Sequence, residues 1–346
     1  MMKKTELLRR VGSISQLAGF QKLMITEGKG KGNEIIQVRN GSGLMFQIAV
    51  DRAFDIGYCE FQGVPVSWLS PTGPVAPSYY DKEEREWNRS FEGGLFATCG
   101  LTYMGKPSVD QGQALGLHGR ISSTPAHVLA TEASWQGEEY WLSFKGEVRE
   151  SSAIGENVKL ERTIRTRLGS NEIEVTDRVT NEAFQPVEHM VLYHFNFGYP
   201  LLSETAHIRL PDARRRWIAG DGPTDGWERF EPPQNDFMPT VMLHELADSQ
   251  EDSASVVIEN LIEHNGRNKR ISVRLEFDPT ALPFLTQWKH AGSGRYVMGI
   301  EPSNATTEGR ETHRRLGTLP YLEPGETKEY RLKFSIELEE GDELAP

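Results

Sequence analysis

Two short runs hold the residues that could move protons. Val297-Met298-Gly299-Ile300-Glu301-Pro302-Ser303-Asn304 sets one carboxylate between an apolar strand and a Pro/Asn turn. A carboxylate at the end of a buried strand loses water on one side, which raises its pKa and makes it a better proton acceptor near neutral pH. Tyr193-His194-Phe195-Asn196-Phe197-Gly198 offers a partner acid, the His194 imidazole. A carboxylate and an imidazole tuned toward neutrality can remove a proton on one side of a C–O bond and deliver one on the other, with no cofactor. Taken alone, Glu301 reads as a strand-end carboxylate paired with an arginine, and His194 as a buried histidine bonded to a backbone carbonyl.

The elements that must position this pair are strands. Leu44, Phe46, Ile48 and Val50 share a face, as do Leu142, Phe144 and Val148, then Val158, Leu160, Ile164 and Leu168, and Ile173, Val175 and Val179. Ile271, Val273, Leu275 and Phe277 repeat the pattern, and Tyr330, Leu332, Phe334, Ile336 and Leu338 give its cleanest case. Period-2 alternation means one buried and one wet face, the antiparallel habit. Asn40-Gly41, Asn265-Gly266 and Pro324-Gly325 supply turns. Only Thr5 to Leu17 has helical spacing, and Gly12 weakens it. Without a βαβ rhythm, a Rossmann or TIM architecture is not expected. The polar stretch Tyr79 to Gly94 reads as a loop or short helix over the sheet near the site. The expectation is an all-β chain, residues 1–346 forming a single β-sandwich domain with 1–20 as a helical or extended appendage.

A length of 346 residues and ordinary apolar content give a sizeable core. The net charge of −12 argues against a nucleic-acid partner, since phosphates demand a basic face. The one dense basic run, Arg214-Arg215-Arg216, reads as a solvated loop. Cys59 and Cys99 make no disulfide framework and suit reduced, buried thiols. No window reaches the length of a membrane span, and Arg9, Arg10 and Gly12 interrupt any signal-like N-terminus. A soluble, cytoplasmic protein without a membrane partner is expected. Glu188-His189 through His194 invites a metal reading, but strand residues an odd number apart point to opposite faces. No second His/Cys cluster has ligand-like spacing, so no metal and no cofactor are expected.

Leu117-His118-Gly119-Arg120, the His194 run and Gly299-Ile300-Glu301-Pro302-Ser303-Asn304 follow in this order on an all-β background. Together they resemble the galactose mutarotase (aldose 1-epimerase) superfamily, most closely its divergent DUF4432 branch. Asp51-Arg52-Ala53-Phe54-Asp55-Ile56-Gly57, Thr98-Cys99-Gly100-Leu101 and Gln287-Trp288-Lys289 resemble that branch's other signatures, and the likeness runs roughly from Gly41 to Leu338.

The resemblance implies a twisted β-supersandwich with an open groove across one sheet. It implies that Glu301 takes the proton of the anomeric hydroxyl while His194 protonates the ring oxygen. The ring then opens, the C1–C2 bond rotates, and closure on the other carbonyl face gives the other anomer. His118 matches a histidine that holds the sugar near the ring oxygen, and Arg52 a substrate-binding arginine. Arg52 follows Asp51 where the family has Asn, so Asp51 could instead pair with it. The family's substrate-binding Asp has no counterpart in Leu243-His244-Glu245, which leaves His244 as a candidate contact and points to altered substrate preference. Trp288 could stack on a sugar or pack in the core. Arg120 could meet an anionic sugar substituent or form a salt bridge at the rim. Cys99 reads as structural, with no cue for a lowered pKa.

The leading expectation is therefore a cofactor-free mutarotase or epimerase acting on a small-molecule sugar, an aldose or a modified aldose, an acidic sugar being one that Arg120 could meet. The alternative is a non-catalytic carbohydrate-binding protein on the same scaffold. A glycoside hydrolase would want two flanking carboxylates, and Glu301 stands alone.

Overall fold

A computed structural model describes residues 3–220, 226–246 and 253–341. The alternating segments form two large antiparallel sheets. One has eight strands, with Asn157–Arg167, Glu172–Asn181, Thr327–Glu340 and Arg267–Phe277 at its centre. The other has six, in the order Arg214–Ala219, Thr240–Glu245, Phe284–Gly292, Arg295–Ser303, Leu192–Gly198 and Phe96–Cys99. A five-stranded sheet from the first 65 residues packs beside them.

The apolar stripes close on one another. Leu160 and Ile164 of the eight-stranded sheet share one core with Tyr193, Phe195, Phe197 and Ile300 of the six-stranded sheet, and with Phe46 and Ile48 of the third. The strand Ala254–His264 turns into Arg267–Phe277 through Asn265 at φ 54° and Gly266 at φ 71°. These are the two positive φ values that a two-residue hairpin turn needs.

Two expectations change. The helical spacing of residues 5–17 yields a helix only over Lys4–Leu8, then a separate turn over Ile14–Gln16. Gly12 carries a helix poorly, and Ser13 opens the new turn by accepting from the Ser15 amide at 3.3 Å. The Arg214–Arg216 run is an edge strand rather than a loop, and all three side chains are engaged: Arg214 with Glu245, Arg215 with His244, and Arg216 with Glu308.

Candidate active site

Ladder register brings the two reactive residues together. Leu192 pairs with Ser303 and Phe195 with Ile300, which sets His194 across from Glu301 on neighbouring strands. Ala97 lies opposite His194, and Thr286 opposite Glu301, so the four form one row on the face turned away from the main core. His194 Nε2 lies 3.2 Å from Glu301 Oε1. One row away, Gly299 leaves the space in which they meet. A Cβ there would come within 2.5 Å of Glu301 Oε1 and 3.0 Å of His194 Cε1.

Where the resemblance implies an open groove, this face is covered. Relative exposure is only 4% for His194 and 2% for Glu301. The cover comes from the segment expected to lie over the sheet, which forms short turns at Pro77–Tyr79 and Glu86–Arg89. Trp87 and Phe91 stack on each other at 4.5 Å, and Phe91 and Trp288 approach the His194 ring at 5.2 and 5.6 Å. The Trp87 indole Nε1 donates to Ser122 Oγ at 3.0 Å.

Burial shifts both groups away from their charged forms. It pushes Glu301 up to about 8. It pushes His194 down to about 4, opposed by the Asn196 side chain. The carboxyl therefore shifts in the expected direction, whereas the imidazole moves away from neutrality. Burial thus favours the uncharged form of each group, a protonated carboxyl and a neutral imidazole.

The family described as "domain of unknown function (DUF4432)" matches residues 30–336. The chain belongs to the DUF4432 family. No curated protein matches this DUF4432 chain. Its fold is similar to that of a provisionally named aldose 1-epimerase from Klebsiella pneumoniae, with TM-score 0.83 and 24% identity over 97% of this chain and 86% of that one. A galactose mutarotase-like protein from Clostridium acetobutylicum gives 0.60 at 13% identity, covering 93% and 99%. Galactose 1-epimerase from Lactobacillus acidophilus gives 0.56 at 13% identity, also covering 93% and 99%. These likenesses show a galactose mutarotase-like β-sandwich fold.

Of the other residues singled out from the DUF4432 sequence, His118 and Trp288 stand at the pair. The His118 ring lies 5.7 Å from that of His194 and 4.9 Å from Trp87. Burial, then the nearby His194 and Arg85, lowers His118 to about 3. Its backbone is left-handed at φ 57°, and its loop is seated on Gly100 through the Gly100 amide, which donates to the His118 carbonyl at 3.1 Å. Gly119 permits that seat, since a Cβ there would lie 2.5 Å from the Gly100 and Tyr103 carbonyl oxygens. Arg120, half-exposed, sits with Nε 3.9 Å from the buried Glu150. Glu150 in turn accepts from the Leu101 amide and Thr102 hydroxyl, each at 2.5 Å.

Arg52 and His244 face elsewhere. Arg52 donates to the Ser90 carbonyl at 2.7 Å and lies 3.6 Å from Glu92, so it braces the segment that holds Phe91. Asp51 does not pair with it; Asp51 accepts from the Glu34 amide at 2.6 Å. A cavity of about 140 Å³ beside Arg52 is lined by Ile35, Ala49, Tyr58 and Glu92, away from the pair. His244 is opposite Leu285, one residue out of phase with Thr286 and Glu301, and so occupies the other face of the sheet. There its Nδ1 accepts from Arg215 Nε at 3.1 Å, and its ring lies 5.8 Å from Trp227.

His189 also departs from the site: its Nε2 is 2.7 Å from Tyr330 Oη. Among the described residues no group of three His, Cys, Asp or Glu is placed to hold a metal ion. Cys99 is buried, and burial, then Glu301 and Asp55, raises its thiol pKa, in keeping with an inert thiol.

Behind the site lies a network absent from the sequence expectations. Arg162 grips Asp177 at 2.8 and 2.6 Å, contacts Asp55, and donates to Thr98 Oγ1 at 2.8 Å. Tyr193 donates to Asp177 at 2.7 Å. The available signal was a charge in phase with an apolar stripe: Arg162 falls between Leu160 and Ile164, and Asp177 between Val175 and Val179.

Proposed function

We propose that this protein is a cofactor-free sugar mutarotase or epimerase that interconverts the anomers of an aldose or modified aldose. The observation that carries the reading is the contact between His194 Nε2 and Glu301 Oε1 at 3.2 Å in the middle of a sheet of mutarotase-like fold. Ring opening removes the O1 proton, forms C1=O1, breaks the C1–O5 bond and protonates O5. The one proton held by the pair suffices. With it on His194, Glu301 accepts from O1 while His194 donates to O5, and closure on the other face of C1 reverses both transfers. Substrate hydroxyls entering beside the pair restore some solvation and favour this ionised form over the neutral resting one.

His118 and Trp288 serve as sugar contacts, and Arg52 acts by holding the covering segment. The near closure of the site favours a second reading, a carbohydrate-binding protein without turnover. NMR exchange spectroscopy on freshly dissolved anomers separates the two. Glu301→Gln and His194→Asn should each lower enzyme-dependent exchange by about 10²–10⁴-fold while sugar binding survives. Wild-type rates in both variants reject the assignment; binding without exchange in the native protein selects the second reading.

A further inference from the structure

We infer that the site takes an uncharged sugar with few hydroxyls, of which a 6-deoxyhexose is the simplest kind, and that Trp87 is a specificity-determining residue for it. The inference rests on the mutarotase reading above.

The walls around the imidazole are apolar. Trp87, Phe91 and Trp288 surround it, and Ala97, Cys99, Met104, Met190, Leu192 and Ala305 complete a buried cluster with them. A buried sugar hydroxyl needs a partner, and few are on offer. His118 Nδ1, His194 Nδ1, Asn196 Oδ1 and Thr286 Oγ1 are the buried unpaired atoms at the pair, the last directly across the ladder from Glu301. Each further hydroxyl would enter this cluster unmatched, at a cost of about tenfold or more in affinity. A buried carboxylate or phosphate would need a cation beside it. Of the cations near His118, Arg85 lies on the exposed lead into the cover, and Arg120 lies beside Glu150 with 41% of its side chain exposed, so neither is buried with the pair. The C–H face of a deoxy sugar, by contrast, packs well on indole rings.

Trp87 is the wall positioned to make that choice. His194 and Glu301 are nearly closed to solvent, so a sugar reaches them only by displacing part of the cover. Residues 81–85, which lead into the Trp87 turn, are exposed, whereas Trp288 sits on a strand inside the six-stranded sheet. Trp87 is fastened through its indole N–H to Ser122. With that bond released, the ring can lie along the sugar face opposite Trp288.

The test measures kcat/KM for anomer exchange by NMR on matched sets: D-fucose, D-galactose, D-galacturonate and galactose 6-phosphate, then D-quinovose, D-glucose and D-glucuronate. The deoxy sugar of a set should exceed its parent by about tenfold, with the anionic members lowest. Trp87→Leu should reduce that ratio mainly through KM for the deoxy sugar. Ser122→Ala, which keeps the ring and frees its N–H, guards against a folding defect and should raise the ratio instead. Equal constants for deoxy and parent sugars, a faster anionic sugar, or a ratio unmoved in both variants overturns the inference and leaves the mutarotase reading intact. Acceleration of no sugar at all overturns both.

Discussion

Neighbouring residues of one strand lead into opposite kinds of buried polar chemistry. Tyr193 points into the core, where Asp55, Arg162, Asp177 and Thr98 satisfy one another with charge-assisted hydrogen bonds. His194 points to the other face, where the imidazole and the Glu301 carboxyl share one proton and have aromatic rings for neighbours. Both regions are dry. In the first, one arginine contacts both carboxylates and two hydroxyls complete the network, so it ties the three sheets together. The second is left undersupplied with partners, the arrangement expected of groups that must change protonation during a reaction.

The sharpest way to break this contrast is to remove the central cation. Arg162→Leu strands two buried carboxylates and should destabilise the fold by about 3–5 kcal/mol, measured by denaturant unfolding. A loss below about 1 kcal/mol would mean that the inner network is not a matched unit. Tyr193→Phe removes one hydrogen bond to a carboxylate of the same network and should cost about 1.5–3 kcal/mol in that assay.

On the outer face the effect should fall on activity instead. Gly299→Ala would press the Glu301 carboxyl away from His194, because the new Cβ meets the movable end of that side chain. Anomer exchange should drop by about 10²-fold or more, with stability changed by less than about 1 kcal/mol. Unaltered exchange would show that the contact of the pair is dispensable.

The outer face should also make stability depend on pH. Folding raises Glu301 from 4.5 to about 8, so its stabilising contribution is complete below 4.5 and is lost as pH rises toward 8. His194, lowered from 6.5 to about 4, contributes fully above 6.5 and loses that contribution as pH falls toward 4. Relative to wild type, Glu301→Gln should therefore gain stability between about pH 4.5 and 8 in thermal unfolding, then level off. A difference independent of pH would mean that Glu301 ionises as an ordinary carboxylate.

The strands were readable because apolar alternation is local: Tyr330 to Leu338 announces its buried face without knowledge of any neighbour. The Asn265-Gly266 turn was readable for the same reason, since two left-handed residues are needed there. His194 and Glu301 needed the order of three runs, because residue type alone fits a structural role equally well. His244 went astray because its face is set by cross-strand register, and one residue of phase reverses it. Trp87 and Phe91 lie about a hundred residues before His194, on a segment without periodicity, so their position over the imidazole is a tertiary fact. Arg162 was hidden by the habit of reading charges on a strand as outward-facing; its phase relative to Leu160 and Ile164 says otherwise.

Because His194 and Glu301 stand on adjacent strands inside a six-stranded ladder, the backbone hydrogen bonds, not the loops, fix the gap between them. The segment from Tyr79 to Gly94 contributes nothing to that spacing. Grafting a different cover onto the same ladder is thus a route to new sugar selectivity that leaves the proton-transfer groups aimed as they are.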